Sequence, residues 1–290
     1  MMDIPKVAFN YTQSRQSEIE VFELSSLAER KRLNVDPETP HRVNFFMLIL
    51  IEEGCGYHQV DFEDYAFHSG SLIFVQREQV HSFDLSATPK GKVLLFTQAF
   101  LDQVHTNMRL PNYTPTHLNP QHSPITQLDN KVYARTHTLI KEMAAEQNDD
   151  HKDTLLMMYL FSALVLLLRK KQTHAEIGKL SQEQSRKLAH FFALLQTHYQ
   201  QIRDATWYAS QVNTTYKTLN AVCKLATGLT AKQMVDAFII VEIKRQLVIR
   251  NVTSQQIAYE FGFDDASNFV KYFKKMTGNT PSQFQRKYKS

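Results

Sequence analysis

A repeat in the C-terminal third constrains the fold of this chain more than any other feature. Lys-Leu-Ala-Thr-Gly-Leu-Thr at 224–230 recurs fifty residues later as Lys-Lys-Met-Thr-Gly-Asn-Thr at 274–280. Ahead of each copy, apolar residues stand at i, i+3, i+4 and i+7, which is the spacing of one buried helix face. These residues are Leu219, Val222, Cys223 and Ala226 in the first copy and Phe269, Tyr272, Phe273 and Met276 in the second. The sequence therefore predicts two equivalent helices, each ended by a glycine.

A shorter helical segment and a tight turn precede each of these helices. Residues 205–212 lead into Asn213, and residues 255–261 lead into Gly262. Glycine and asparagine adopt the left-handed conformation most readily. The order helix, left-handed turn, helix is typical of a helix-turn-helix, and here it occurs twice. Two helical hairpins also occur in bundles that bind nothing, so the pattern by itself leaves both alternatives open.

The outward positions of the two repeated helices favour DNA as the partner. Lysine and asparagine reach phosphates and base edges, and no acidic residue follows Asp265. The candidate DNA-contacting residues are Tyr216, Lys217, Asn220 and Lys224 on the first helix and Ser267, Asn268, Lys271, Lys274 and Lys275 on the second. Lys224, Lys274 and Lys275 are placed as phosphate anchors, whereas the asparagines suit adenine and Lys217 and Lys271 suit guanine or phosphate.

The distribution of charge also favours DNA binding by the C-terminal part of the chain. The net charge is +4, but residues 183–290 carry 15 basic and 7 acidic residues, whereas residues 1–182 carry 18 and 22. Such segregation indicates a polyanion-binding region, with a chance excess of solvated lysines as the alternative.

The two cysteines are too few for a disulfide framework, and the first 16 residues lack the apolar core of a signal peptide. We therefore expect a cytoplasmic protein.

The first third of the chain has the pattern of β-structure and the remainder that of helices. Short apolar or alternating runs at 43–51, 57–62, 71–75 and 91–96 predict an antiparallel barrel or sandwich. Helices are predicted at 127–146 and 153–171, and the polar stretch 170–184 is the best linker. The predicted fold class is α+β, with a β-barrel and helices at 1–172, a linker at 173–182 and an all-α DNA-binding domain at 183–290.

An apolar run of 14 residues, 155–168, lies within the second of those predicted helices. It is shorter than the ~20 residues that a membrane-spanning helix needs. We expect it to be buried or to form an interface. Contact between two copies in a homodimer and packing against its own barrel are equal alternatives.

From Ile202 onward the chain resembles the C-terminal domain of the AraC/XylS family of bacterial transcription regulators. The residues that carry this resemblance are Ile257, Ala258, Gly262, Phe263, Asp264, Asp265, Ser267, Phe269, Phe273, Lys274, Lys275, Gly278, Thr280, Pro281 and Phe284. The resemblance implies seven helices, with a long one at about 231–249 that joins two DNA-reading heads. It also implies RNA polymerase as a partner and an operator whose two contacted segments lie roughly one helical turn, ~34 Å, apart.

Carried over by position, the family's DNA contacts fall on Lys217, Asn220 and Ala221 and on Ser267, Asn268 and Lys271. Four positions depart from the family pattern. Cys223 replaces the usual Phe and suits a small core residue. Ile239 and Gln285 each replace an arginine. Ala221 stands where a longer side chain is common, so we expect the second head to read bases more than the first.

Residues 40–100 resemble the cupin-type effector domain of the same family, through His41, Gly54, Gly56, Gly70 and His81. This resemblance implies a small-molecule effector. The candidate ligand-binding residues are His41, Arg42, Tyr57, Arg77 and His81, and the two arginines would suit a carboxylate.

Cupins include metal enzymes such as dioxygenases and isomerases, so a metal enzyme is the alternative function. His58, however, lacks the second histidine that usually follows one residue later in cupin metal sites. The sequence contains no catalytic nucleophile motif or phosphate-binding glycine loop. We therefore predict a regulator that is not an enzyme and carries no metal or cofactor.

Overall fold

The computed structural model describes residues 5–9, 17–27, 36–108, 123–172, 180–250 and 252–288. Within these residues the chain forms two compact units. The N-terminal unit comprises the described residues up to 172, and the C-terminal unit comprises those from 180 onward. The predicted linker therefore lies largely outside the described residues, which stop at 172 and resume at 180.

Ten strands of the N-terminal unit form two five-stranded sheets. One sheet has the order β1-β3-β8-β5-β6 and the other the order β10-β7-β4-β9-β2. Every pairing except that of β1 with β3 is antiparallel. The strands are β1 (Lys6–Val7), β2 (Ile19–Glu23), β3 (His41–Val43), β4 (Phe46–Glu53), β5 (Cys55–Val60), β6 (Glu63–His68), β7 (Ser71–Val75), β8 (Val80–Phe83), β9 (Lys90–Phe96) and β10 (Ile125–Gln127).

Strand β4 explains why the sequence of the second sheet is so uniformly apolar. Alternate side chains point to opposite faces of a sheet, and both faces of this strand are covered. Phe46, Leu48 and Leu50 pack in the core between this sheet and the helices. Met47 and Ile49 pack in the core between the two sheets.

Three helices cover the second sheet: α1 (Gln98–Met108), α2 (Asn130–Asn148) and α3 (Thr154–Gln172). Helix α3 buries Met157, Met158, Phe161 and Leu164 in the core beneath it. Its other side is exposed to solvent in this chain. None of the helices among the described residues is long and apolar enough to cross a membrane.

The C-terminal unit contains the seven predicted helices, so that expectation is confirmed. They are α4 (Gln182–His198), α5 (Ala205–Gln211), α6 (Tyr216–Thr227), α7 (Ala231–Ile249), α8 (Ser254–Glu260), α9 (Ala266–Thr277) and α10 (Pro281–Tyr288). Short polar side chains accept hydrogen bonds from backbone N–H groups at the start of six of them, α4 to α9, which satisfies donors that a helix leaves free.

Helix α7 is the common core of the two helix-turn-helix motifs. Eleven of its residues are buried, and they are distributed around the whole helix rather than along one stripe. Ile239, one of the departures from the family pattern, is fully buried. Gln285, another departure, donates from Nε2 to the carbonyl of Leu247 at 3.0 Å and so ties α10 to the end of α7.

The structure corrects several predicted element boundaries. The strand predicted at 57–62 ends at Val60, because Asp61 and Phe62 have φ values of 48° and 73° and form the turn into β6. The prediction also missed α1 and the strands β1, β2, β6, β8 and β10. Strand β6 has the sequence Glu-Asp-Tyr-Ala-Phe-His, and its mostly exposed side chains carry no apolar alternation.

Candidate nucleic-acid interface and effector site

The first helix-turn-helix is built on a left-handed turn, as predicted. Asn213 has φ of 51° between α5 and α6. The hydroxyl of Thr215 then accepts from the N–H of Thr218 and starts α6, and Gly228 ends it with φ of 76°. Cys223 is fully buried on the inner side of α6, and burial raises the pKa of its thiol to about 12. This cysteine is therefore a core residue, as predicted.

Four of the predicted contact residues on α6 are exposed: Tyr216, Lys217, Ala221 and Lys224. Asn220 is different. It is half-buried, and its Oδ1 accepts a hydrogen bond from the N–H of Ala231, the first residue of α7, at 3.0 Å. Bidentate recognition of adenine needs both the oxygen and the nitrogen of the amide. One of the two lone pairs of this oxygen is therefore used to join α6 to α7, which leaves Asn220 less free to reorient toward a base.

The second helix-turn-helix has the same construction, and all the predicted contact residues of its recognition helix α9 are exposed. Gly262 has φ of 67° in the turn, and Gly278 ends α9 with φ of 77°. Asp265 starts the helix by accepting from the backbone N–H of Asn268 at 2.7 Å, and its other oxygen accepts from Nδ2 of the same residue at 2.7 Å. The side chain of Asn268 is thus held by its neighbour, and Oδ1 remains its unbound group among the described contacts.

The outer faces of the two recognition helices carry positive charge only. Ser267, Asn268, Lys271, Lys274 and Lys275 are all exposed on α9. Neither α6 nor α9 contains an acidic residue. A duplex phosphate that approaches either face therefore meets lysine and neutral polar groups without a repelling carboxylate on the helix itself.

A small cavity lies between the two sheets in the core of the N-terminal unit. Its volume is about 30 Å³, enough for a water molecule or two and far below the size of a ligand pocket. The lining residues are Val7, Phe22, Leu27, Pro37, His41, Val43, Phe45, Met47, Phe83 and Leu95. His41 is the one polar side chain among them.

Comparison with protein families assigns both units. Residues 208–287 match a helix-turn-helix domain family, and residues 27–165 match the AraC-like ligand binding domain family. The chain belongs to the AraC/XylS family of transcription regulators. It is accordingly a DNA-binding regulator with an N-terminal ligand-binding domain, and the predicted α+β fold class is confirmed.

Relatives span nearly the whole chain of this AraC/XylS regulator. The HTH-type transcriptional activator RhaS of Shigella sonnei is 22% identical over 263 residues, which cover 90% of this chain and 92% of RhaS. RhaS of Escherichia coli K12 has the same identity and coverage. A structure of ToxT from Vibrio cholerae with a bound unsaturated fatty acid has 14% identity and a TM-score of 0.42, and it covers 92% of this chain and 94% of ToxT.

Three histidines of this regulator cluster beside the cavity, and the sequence did not reveal the cluster. His41 on β3 lies opposite His81 on β8, with ring centroids 4.3 Å apart. His58 on β5 lies 5.3 Å from His81. Nδ1 of His41 donates to the carbonyl of Thr39, whereas both ring nitrogens of His58 and of His81 lack a hydrogen-bond partner among the described residues.

Burial keeps this cluster uncharged. Desolvation lowers the pKa of His58 to about 3, and it lowers the pKa of His81 well below the ordinary value and that of His41 as well. Positive charge on one ring would also disfavour charge on its neighbours. Among the described residues, no group of three or more His, Cys, Asp and Glu side chains has the arrangement of a metal site.

The other three candidate ligand residues do not line the cavity. Tyr57 is 58% exposed. Arg42 donates from Nε to the Glu78 carbonyl at 3.1 Å, and its Nη1 lies 3.3 Å from the carboxylate of the same residue. Arg77 is exposed and donates to the carbonyl of Asn44. These three residues were predicted as ligand-binding groups, and the structure places them away from this cavity; strand positions alone do not show which side chains point inward.

Proposed function

We propose that this regulator reads its operator with the outer faces of α6 and α9 and that α9 supplies most of the base recognition. The observation that carries this proposal is the pair of exposed lysine-bearing helices, neither of which contains an acidic residue, each presented behind a left-handed turn; the carboxylate of Asp265, just before α9, is engaged by Asn268. Ser267, Asn268 and Lys271 offer polar groups from one helix. Ala221 and the engaged oxygen of Asn220 leave α6 fewer groups that can recognise a base.

Lysine substitutions on and off these faces test the proposal. A duplex selected from a random library by the full-length protein serves as the probe, with a scrambled duplex of equal composition beside it. Lys271→Ala should weaken binding to the selected duplex by ~1–3 kcal/mol and spare the scrambled one, since a base contact carries sequence information. Lys187→Ala on α4 removes the same charge elsewhere in the unit and should leave the preference unchanged. Equal losses for Lys271→Ala on both duplexes would contradict base reading by α9.

We also propose that residues 1–172 and 183–290 are separate domains joined by a linker at 173–182. The two compact units and the charge difference between the two parts of the chain support this boundary. Limited proteolysis should cut first between 173 and 182, and a 183–290 fragment should keep duplex binding. A first cut elsewhere, or a fragment that binds no duplex, would contradict this division.

The effector site is proposed at the cavity beside His41. Its lining is otherwise apolar, so a mainly apolar ligand with one hydrogen-bonding group fits its chemistry. Such a ligand would have to widen the space between the sheets, and this change would be the signal passed to the DNA-binding unit. The carboxylate that Arg42 and Arg77 suggested loses its structural support, because neither arginine lines the cavity.

A homodimer through α3 is the second part of the proposal. Four large side chains of this helix are between 44% and 56% exposed: Leu155, Leu156, Tyr159 and Leu166. Three of them, Leu155, Tyr159 and Leu166, follow a stripe along the outer side, opposite the residues packed in the core. An unpaired apolar stripe of this kind is typical of a protein interface.

Leu166→Glu should therefore shift the full-length protein toward monomer in analytical ultracentrifugation. Leu225→Glu, on α6 and 40% exposed, is the matched control and should leave the oligomeric state unchanged. Met158 is unsuitable for this test because it is buried in the core. A dimer of unchanged stability in Leu166→Glu would place the interface elsewhere.

We propose no catalytic activity for the chain, since its relative RhaS is a transcriptional activator. RNA polymerase is proposed as the partner through which bound regulator changes transcription. Run-off transcription from a promoter that carries the selected duplex tests this step. Transcript levels that do not respond to the protein would contradict it.

A further inference from the structure

The segment between α4 and α5 contacts the turn of the second helix-turn-helix directly. The guanidinium of Arg203 lies over the Phe263 ring, with Cζ 3.5 Å from the ring centroid, and it lies 5.7 Å from the ring of Tyr272. Its Nη2 also donates to the carbonyl of Phe261. One side chain from the entry to the first motif thus holds the turn and the recognition helix of the second.

The same contact extends to the helix that joins the two motifs. The hydroxyl of Tyr272 on α9 lies 3.4 Å from the carbonyl oxygen of Asp236 on α7 and 3.5 Å from its Oδ1. The segment before α5 is therefore linked to helix α9 through Arg203, and helix α9 is linked to helix α7 through Tyr272. A connection through α7 alone would leave the second motif free to bend or rotate about the end of that helix. The Arg203 contact is a second attachment that removes this freedom.

If Arg203 served only to fill space, an apolar side chain would contribute more to stability. The Nε of Arg203 is buried without a hydrogen-bond partner, and the carboxylates of Asp236 and Asp264 attract its charge without coming close enough, among the described residues, to form an ion pair. A partly buried cation without a paired carboxylate costs free energy that an apolar side chain would not. The planar guanidinium stacks on one ring and donates to one carbonyl, so it fixes the orientation of the contact in a way that an apolar side chain cannot.

We propose that Arg203 is a positioning residue that fixes α9 relative to α6 and so sets the spacing between the two DNA segments that one protomer recognises. This inference rests on the proposed reading of DNA by both helices. The side chain faces the second motif rather than a recognition surface, so its effect on DNA is exerted through the angle and distance between the two helices.

Operators of altered spacing test this inference. The probes are the duplex selected by full-length wild-type protein and two versions with one base pair inserted or removed between the two segments protected in a footprint. Wild type should lose at least tenfold in affinity for each altered duplex. Arg203→Ala should lose less than threefold, because its second motif can adjust. Arg186→Ala, which removes an exposed arginine from α4, should keep the wild-type penalty.

The possible results distinguish failure of the positioning role from failure of the proposed function. Equal penalties in wild type and Arg203→Ala, or a uniform loss on all three duplexes, would overturn the positioning role. A wild-type protein that prefers the selected duplex but tolerates altered spacing would overturn it too. A wild type that does not distinguish the selected duplex from a scrambled one would instead contradict the proposed function. If Arg203→Ala fails to fold, Arg203→Lys retains the charge and the stem without the planar group, and its spacing penalty decides in the same way.

Discussion

Lowering the pH from 7 to 5 should decrease the unfolding free energy of the N-terminal unit of this regulator. Replacement of His58 should make that decrease smaller. His58 and His81 are fully buried, and the rings of His41, His58 and His81 lie close together. The pKa of His58 falls from 6.5 to about 3 because burial disfavours the charged ring. In the unfolded chain the same ring takes up a proton near pH 6.5. Between these values the unfolded state binds more protons, so stability falls as the pH falls.

The magnitude follows from the two pKa values. For a histidine that stays neutral in the folded state, lowering the pH from 7 to 5 costs ~2 kcal/mol of unfolding free energy. The loss from His58 alone is a substantial share of the ~5–15 kcal/mol typical of a folded domain, and the lowered pKa of His81 adds to the loss in the same direction. His58→Phe keeps the ring shape beside Phe83 and should reduce the loss between pH 7 and 5 by ~2 kcal/mol. Other titrating groups contribute equally to both proteins, so the difference isolates His58.

Two probes separate the units in the full chain. Trp207 is the single tryptophan of the sequence and lies on α5, so its fluorescence in urea follows the C-terminal unit and serves as the internal control. Hydrogen exchange of β5 and β8 peptides across the same urea series follows the N-terminal unit. His68→Phe, at an exposed position on β6, should behave as wild type. If wild type and His58→Phe lose equal stability between pH 7 and 5, burial does not keep His58 neutral and the reasoning fails.

Three further predictions concern individual side chains. Lys274→Ala should weaken binding to selected and scrambled duplexes alike and lower the log–log salt slope by about one, as expected of a phosphate contact; an unchanged slope would contradict that role. Asn220→Ala should lower the unfolding free energy of the C-terminal unit by ~1 kcal/mol, measured through Trp207 fluorescence, because the N–H of Ala231 loses its acceptor, whereas Lys217→Ala should not. A thiol reagent should label Cys55 rapidly and Cys223 only in urea, and equal rates in the native protein would show that Cys223 is accessible.

The sequence predicted the C-terminal unit better than the N-terminal unit, and the reason is the range of the contacts. Helices α6 and α9 are defined by apolar residues within two turns of each other and by a glycine at the end, so local spacing was sufficient. The histidine cluster depends on the pairing of three strands, β3, β5 and β8. Residues 41, 58 and 81 are far apart in sequence, and their partners are chosen by the register of the sheet.

The sequence also did not predict which side chains connect one helix or motif to another. Asn220 has the residue type and spacing of a base-reading position, yet its oxygen accepts from the start of α7. Arg203 precedes the first motif by sequence but contacts Phe263 of the second. For Asn220 the local pattern gives the helix face correctly, and Arg203 lies outside any helix. The local pattern does not show which neighbouring element comes within hydrogen-bonding or stacking distance.

The central claim is that the faces of α6 and α9 recognise a particular DNA sequence, and one binding measurement tests it most directly. The full-length protein is titrated, at one stated salt concentration, into the duplex that it selects from a random library and into a scrambled duplex of the same length and composition. The account predicts binding to the selected duplex at least ~10³-fold tighter, as expected of a specific regulator, and loss of most of that preference in a Lys217→Ala, Lys271→Ala double variant. Equal affinity of the wild-type protein for the two duplexes would contradict it.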